Sequence, residues 1–586
     1  MLKTKLVFTI GPASSSEEMI DKLIQTGMSA SRHNFSHGDH EEHKIRIELV
    51  KKLRDKYNKP IAVILDTKGP EIRCGNFKDG TAELKEGSSF IVDCYDEILG
   101  DENSCTISYK ELYQDVTQGA RIMINDGLVA LGVERVEGKK IYCRVLNSGT
   151  IGSKKNINII GANVKLPSLT EKDVDDLKFG CEIGVDFIAA SFIRKGQDVV
   201  AIRRLLSRFE GDRIRIISKI ENDQGVKNID EIIKLSDGVM VARGDLGVAI
   251  PIDEVPIVQK IIIKKCNKAG KFVITATQML DSMTYNPRPT RAEASDVANA
   301  IFDGTDAVML SGETANGKYP IEAAQIMAKI AQSAENGINY GKSFRKLESI
   351  QVTNVANAIA VATCTTALEL NASAIITATQ SGNTARLVAK YRPGCPIIAA
   401  TPYKEVALAL ALNFGVMPIE TKVFKTTDEL VEESVETALK TNYVKKGDLV
   451  VIAAGIPVTS SGTTNMIKVH IVGDTLVEGK GIGNNPAYGT CKIANSPEEA
   501  VDIVEPGDIL VIKNLDKGYL EVLDKAAGII SEDGGFTSHL AIECIVREIP
   551  LITNAENATK ILKNGSYITM DTVRGAVMSG KSENNE

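Results

Sequence analysis

The chain has 586 residues, 43% apolar and 25% charged, so at a typical ~150 residues per domain it holds about four domains rather than one core. Lys and Arg number 69 against 76 Asp and Glu, and a net charge of −7 does not supply the basic field of a nucleic-acid binder. The ten cysteines lie far apart without a CxxC pair, which argues against a disulfide framework or a thiolate zinc site and favours a reducing, cytoplasmic setting. The run Leu6–Ile10 is broken by Gly11 and Pro12, and the longest later apolar run, Leu449–Val458, is about half of a ~20-residue span, so neither signal peptide nor membrane is expected.

Short β-branched runs, each followed by turn residues and an amphipathic stretch, recur through the first 340 residues. They are KLVFTI (5–10), MSASRHNF (28–35), IAVILDT (61–67), VDFIAASF (185–192), IRIISKIE (214–221), DGVMVARGD (237–245), KFVITAT (271–277) and DAVMLSG (306–312). Their starts lie 23, 33, 124, 29, 23, 34 and 35 residues apart, so six intervals fit a strand–helix–strand repeat and one carries an insertion. Removing 68–170 leaves 237 residues, close to the ~250 of a (β/α)8 TIM barrel. The expected class is therefore α/β, with the barrel over 1–70 and 170–340. The insertion, 71–169, alternates with period two between Gly and Asp turns (ELKEGSSFIV, ARIMINDGLVALGVERVEGKKIYCRVLNSG), which predicts a small antiparallel β-barrel cap. From 341 to 475, NASAIITA, PIIAAT, GDLVVIAAG and MIKVHIV alternate with helical stretches and predict a doubly wound α/β domain. A Gly-rich joint, GKGIGNNPAYG (479–489), falls within a fourth compact β/α unit over 476–586.

Barrel active sites lie at the C-terminal ends of the strands, and here those ends are crowded with polar residues. Strand two ends in Arg32, His33, Asn34, Ser36 and His37; strand three in Asp66 and Thr67; strand five in Lys219 and Glu221; strand six in Arg243, Gly244 and Asp245; strand seven in Thr277; strand eight in Ser311. So many buried charges are costly unless paired or holding ions, which makes ions and an anionic substrate the natural occupants. Glu221 and Asp245 are hard carboxylates on neighbouring strands, an arrangement suited to Mg²⁺. Arg32 and Arg73 suit phosphate, while Asn34, Ser36, Asp66 and Thr67 offer only oxygens with one formal charge, which suits a monovalent cation. Ordinary strand-end capping is the plain alternative. His33, His37, His40 and His43 invite a zinc reading, but His40 and His43 are three apart where HExxH needs four, and Asp39 reads as a helix cap.

The strings KTKLVFTIGPAS, RHNFSHGDHEEH, ILDTKGPEIR, ISKIENDQGV, GVMVARGDLGV, TATQML and NPRPTRAEASDVANAIFDGTDAVMLSGET resemble the pyruvate kinase family, from residue 3 to about 475. The resemblance implies transfer of the phosphoryl group of phosphoenolpyruvate to ADP, with Mg²⁺ and K⁺ required. It implies that Arg32 contacts substrate phosphate and that Lys219 stabilises the transferring group. It further implies that Gly244, Asp245 and Thr277 take the substrate carboxylate, that Glu221 and Asp245 bind Mg²⁺, and that Asn34, Ser36, Asp66 and Thr67 bind K⁺. Arg73 and His37, with Lys155 of the cap and with Asn34 and Ser36, are implied to hold the nucleotide. Glu71 matches the K⁺-dependent form. A hydroxyl relay through Thr277 and Ser311 is the expected proton path to the enolate. His33, Cys74 and Ala249 depart from the usual family residues without removing an implied ligand.

Within TATQSGNTAR (377–386), Thr379, Ser381, Gly382, Asn383 and Thr384 read from the residues as a plain strand-to-helix turn with phosphate-binding capacity. The resemblance makes it an effector loop. GIPVTSSGTTN (455–465) lacks the Trp and Arg that animal members use for fructose 1,6-bisphosphate, so AMP or a sugar monophosphate is the expected activator, and a homotetramer the expected assembly. The tail string GGFTSHLAIECIVREIPLI (534–552) resembles the swivelling phosphohistidine domain of phosphoenolpyruvate-utilising enzymes, with His539 at the phosphorylated position; a structural or regulatory role is expected. Two other readings stay open. A Mg²⁺-dependent carbon–carbon lyase would need neither cap, Lys219 nor Lys155, and a non-catalytic phosphometabolite sensor would not need the intact Lys219, Glu221, Asp245 and Thr277.

Overall fold

The computed structural model describes residues 2–580 apart from Asn163, 349–353, 424–425, 457–463, Asp474 and Asn484. The barrel strands are β1 (Lys5–Thr9), β2 (Met28–Asn34), β3 (Ala62–Asp66), β4 (Phe187–Ala190), β5 (Arg215–Ile220), β6 (Gly238–Ala242), β7 (Phe272–Ala276) and β8 (Ala307–Leu310). Each lies inside one of the eight runs read from the sequence. All pair in parallel with their chain neighbours, and Lys5 stands opposite Ala307, so β1 and β8 close the ring. The strands are apolar on both faces because both are covered. Val7, Ala30, Ile64, Phe187, Ile217, Met240, Ile274 and Met309 fill the interior, while Leu6, Phe8, Val63, Leu65, Ile216 and Val241 pack outward against the helices.

The helices begin where short polar residues can cap them. Asp39 accepts from the Glu42 amide at 2.9 Å at the start of His40–Lys56, and Thr170 with Asp173 forms a capping box for Glu171–Ile183. These caps fix where each strand end meets its helix, and so fix the mouth.

The insertion between β3 and β4 is a seven-stranded sheet around a core of Phe90, Val92, Ile122, Leu131 and Ile141, with Cys74, Cys94, Cys105 and Cys143 also buried there. Its two edges meet: Cys74 bridges Ile107, and the Gly75 amide donates to Thr106 O at 2.8 Å, closing the sheet on itself. One pair departs from the antiparallel pattern read above, since Ser89–Asp93 and Ser104–Thr106 run parallel. The link 94–103 carries the chain back to the end of the sheet at which Ser89 starts, with Gly100 bridging Phe77 on the way.

Two compact units are distinguished, one comprising 1–352, 380–392 and 403–418, the other 353–379, 393–402 and 419–586. In the second, Ala374–Ala378 pairs in parallel with Ile397–Thr401 and with Leu449–Ala454, whereas Met466–Ile471 joins antiparallel. Only eleven residues separate Ala454 from Met466, too few for a crossover helix. The tail folds as an eight-stranded mixed sheet with an apolar core on each face. Among the described residues no helix is long and apolar enough to cross a membrane.

Candidate active site

The strand ends at the mouth form a cleft of about 510 Å³, lined among others by Arg32, Asn34, His37, Lys219, Glu221, Asp245, Thr277 and Ser311. Eight residues named from the sequence therefore meet in one place. The floor is an ion-pair chain. Lys219 Nζ lies 2.8 Å from Glu221 Oε1 and 3.0 Å from Asp66 Oδ1, and Arg32 Nε lies 2.6 Å from Asp66 Oδ2. Asp66 and Glu221 are each 1% exposed, Lys219 10% and Arg32 11%. At that burial an unpartnered charge would cost several kcal/mol, so the chain holds together as a unit.

The electrostatics follow from the same contacts. Burial alone would pull the Lys219 ammonium down, but Asp66 and Glu221 outweigh it and hold its pKa above the ordinary value. Burial pushes the Glu221 carboxyl up to about 7, against the pull of Lys219 and with a further push from Asp245. Asp245 is raised as well, chiefly by burial, with Glu71 and Asp126 of the cap adding to the push against Lys219. Two carboxylates held above their usual range beside one another form a site that gains by taking a cation.

Thr277 sits at φ +71°, a left-handed conformation costly for a β-branched residue. Arg243 holds it there: its Nη2 donates to Thr277 O at 2.9 Å, and its Nη1 lies 2.7 Å from Asp296. Gly244 leaves room for the turn, since a Cβ there would stand 2.8 Å from Thr277 Cγ2. Ser311 is fixed differently, its amide donating to buried Glu313 at 2.7 Å.

Other expected residues are placed as follows. Thr67 is buried and its hydroxyl accepts from the Ser191 amide at 3.2 Å, while the Ser36 amide donates to Asn34 Oδ1 at 3.2 Å. Arg73 ends the edge strand Ile72–Arg73 of the cap opposite Asn156, Lys155 directly precedes that partner, and neither lines the cleft. Arg73 is occupied, donating to Glu71 at 2.6 Å and to Lys154 O at 2.9 Å. The Cys74 thiol accepts from the Lys155 amide at 3.1 Å and so pins the loop that carries this lysine. His33 is fully buried against Ser31, His40 meets Asp176 at 2.7 Å, and His43 stacks on Phe35 with its ring edge-on to His33 at 6.3 Å, so the rings pack with Phe35 and each spends a nitrogen on a separate protein partner. Thr379 is buried just after Ala374–Ala378, Gly382 has φ +78°, and Ser381, Asn383 and Thr384 are half-buried or buried at the start of Asn383–Ala389. His539 is exposed at the start of His539–Val546, which Ser538 caps.

Sequence reasoning missed Ser191. Its hydroxyl accepts from Lys219 Nζ at 2.7 Å and donates to Thr67 O at 2.6 Å. The pairing Ala190–Ser218 places Ser191 beside Lys219, so register carried the signal. Glu42, His43 and Arg46 also extend the cleft along the helix after β2.

A closed (β/α)8 barrel whose mouth holds a buried lysine and arginine among acidic side chains is the scaffold of an enzyme acting on an anionic substrate. Residues 1–324 match the family model for the pyruvate kinase barrel domain, 357–470 that for its alpha/beta domain, and 504–575 that for the mobile domain of PEP-utilising enzymes. The chain belongs to the pyruvate kinase family. It is 60% identical to a pyruvate kinase of Clostridium acetobutylicum over 472 residues, 80% of this chain and all of that protein. A Bacillus licheniformis pyruvate kinase is 50% identical over 585 residues, covering 99% of this chain and all of its own length. Among solved structures, a pyruvate kinase from Cryptosporidium parvum superposes with a TM-score of 0.77 at 40% identity, over 80% of this chain and 96% of that one.

Proposed function

We propose that this chain transfers the phosphoryl group of phosphoenolpyruvate to ADP, giving pyruvate and ATP at the close of glycolysis. The observation that supports this most directly is the Lys219 ammonium, fixed between Asp66 and Glu221 in a cleft that Arg32, Asp245 and Thr277 also line. A loose phosphoryl-transfer transition state spreads negative charge over its equatorial oxygens, so the work is placement of positive charge. In this reading Lys219 and Arg32 receive the phosphoryl oxygens, and the Gly244–Asp245 backbone with Thr277 receives the carboxylate. Asn34, Ser36, His37, Arg73 and Lys155 hold the nucleotide, the last two carried in as the cap closes and excludes water.

The residues fit the two cations this chemistry uses. Glu221 and Asp245 offer paired carboxylates whose ionisation burial opposes, the donor set of a Mg²⁺ site. Asn34, Ser36, Asp66 and Thr67 offer oxygens with a single formal charge, as a K⁺ site requires. When bound, these ions add positive field where the substrate oxygens gather charge. A lactate-dehydrogenase-coupled assay tests the reading: lactate formation from phosphoenolpyruvate should depend on ADP, Mg²⁺ and K⁺ together, and pyruvate released from oxaloacetate without ADP would instead support a lyase.

In this reading Thr277 passes a proton to the enolate carbon through a water or through Ser311, a role supported by both residues lining the cleft. Thr277→Ala should slow exchange of pyruvate methyl protons with solvent about 10²-fold or more, with a much smaller change in substrate affinity. Normal exchange in that variant would exclude the relay.

Thr379, Ser381, Gly382, Asn383 and Thr384 are proposed as an effector loop for AMP or a sugar monophosphate, in a cytoplasmic homotetramer built from the barrel (1–70, 170–340), cap (71–169), effector (341–475) and tail (476–586) segments. Part of the 455–465 stretch used to set aside fructose 1,6-bisphosphate, 457–463, lies outside the described residues. At subsaturating phosphoenolpyruvate, ribose 5-phosphate or AMP should raise the rate severalfold and fructose 1,6-bisphosphate should not; a flat response to all three would remove the proposal.

A further inference from the structure

The rim opposite the mouth carries a charge cluster that the reaction above does not use. The pairings Ile217–Gly238 and Gly238–Phe272 set the preceding residues, Ile216, Asp237 and Lys271, side by side at the N-terminal ends of β5, β6 and β7. Arg215 lies one position further out. Arg203 reaches in from the helix Gly196–Arg208 and donates to Asp237 Oδ2 at 2.9 Å. Arg386 comes from Asn383–Ala389, which belongs to the same compact unit as the barrel. Four cations thus gather around one carboxylate.

That carboxylate is already engaged. Asp237 accepts from the Ile216 amide at 2.9 Å and pairs with Arg203, while Arg215 Nη1 stands 3.5 Å away. The carboxylate of Asp186, whose carbonyl accepts from the Arg215 amide, is taken by Arg54 at 3.0 Å. Lys271 Nζ donates to Ser236 O at 2.6 Å and Arg386 Nη2 to Ser381 O at 3.1 Å, carbonyl contacts that neutralise neither. Arg215 Nε is buried with no hydrogen-bond partner.

The cations also repel one another. Burial first, and then Arg215, pulls the Arg386 guanidinium down to about 10. Lys271 is lowered by burial, with Asp237 pulling up and Arg386, Arg203 and Arg215 pushing further down. Gly382 makes space for this crowding, since a Cβ there would lie 2.9 Å from Arg386 Nη1. A solvated basic rim is the ordinary alternative, but it does not account for Lys271 and Arg386, which are drawn in among other cations with only carbonyl oxygens as hydrogen-bond partners among the described residues.

We propose that Arg203, Arg215, Lys271 and Arg386 form an anion site on the N-terminal rim of the barrel that takes a phosphate monoester. Guanidinium groups bind phosphate oxygens in pairs, and a dianion would offset most of the excess positive charge left after Asp237. The site is separate from the catalytic cleft and needs neither the Ser381 nor the Thr384 hydroxyl.

Calorimetric titration of the full-length protein with inorganic phosphate and with ribose 5-phosphate, at fixed ionic strength, tests it. Arg32→Gln combined with Ser381→Ala and Thr384→Val, which weakens both the catalytic cleft and the proposed effector loop, should retain a saturable ribose 5-phosphate site. Lys271→Gln in that background should weaken this site about fivefold, and adding Arg215→Gln should weaken it at least about twentyfold. Lys271 touches only a carbonyl, so its variant decides the matter even if loss of Arg215 unfolds the rim. Unchanged affinity in Lys271→Gln, or loss of all binding in the background variant alone, overturns the proposal. Tighter binding of ribose 5-phosphate than of inorganic phosphate supports a monoester; equal binding of the two overturns that assignment.

Discussion

Lys219→Met is expected to lower kcat by about 10³-fold or more, because it removes a fixed positive charge aimed at the transferring group. The same change should cost about 3–5 kcal/mol of stability, the usual result of breaking a buried ion pair on one side. Asp66 keeps Arg32 at 2.6 Å and Ser191 at 3.3 Å, whereas among the described residues Glu221 keeps the Phe192 amide at 2.6 Å and no other cation. The loss therefore falls mainly on Glu221, whose carboxyl burial already pushes up to about 7. Without Lys219 that carboxyl should be pushed higher still, so the stability deficit should be larger at pH 8, where it must ionise, than at pH 5.5, where it stays protonated. Denaturant titrations at the two pH values, with steady-state kinetics on the same samples, check both parts. A kcat within tenfold of the unchanged protein would remove Lys219 from the reaction.

The second large effect concerns the metal. Because burial holds Glu221 near 7 and Asp245 above its usual range, a divalent cation must displace a proton to bind at neutral pH. Mg²⁺ affinity should be flat above about pH 8 and fall by about tenfold per pH unit below 7. In the metal-free protein the sign reverses. The native state keeps a proton that the unfolded chain loses between its ordinary 4.5 and about 7, so the contribution of Glu221 to stability declines as pH rises through that window. Adding Mg²⁺ should restore it most at the alkaline end. Calorimetric Mg²⁺ titrations at pH 6, 7 and 8 read this directly, and a pH-independent affinity would contradict the pairing of Glu221 with Asp245.

Much of this site could be read from spacing alone, for a physical reason. A parallel strand buried on both faces is a run of apolar residues, so its polar end stands out, as in ISKIE and SRHN. Ser191 escaped because one hydroxyl at the end of IAAS marks nothing until register sets it beside Lys219. Thr277 was named, but its left-handed backbone was not foreseeable in a β-branched residue; Arg243 and Asp296, 53 residues apart, enforce it. The parallel pair in the cap and the antiparallel edge strand Met466–Ile471 depend on the path the connection takes, which hydrophobic period does not encode. The rim cations read as ordinary surface charge until three strand starts are aligned.

Closure of the ring by β1 and β8 also bears on how the chain comes to be made. Lys5 must find Ala307 across 302 residues, and for a flexible chain of that length meeting alone costs about 5 kcal/mol. The intervening strands lower that cost only as they assemble in order. At about 5–20 residues per second, β1 leaves the ribosome roughly 15–60 s before its partner does. Throughout that interval β1 and the newest strand are both open sheet edges, the form of structure most prone to pair with another chain. The ion-pair floor of the cleft, shared by strands two, three and five, thus belongs to a ring that cannot exist until residue 310 has been added.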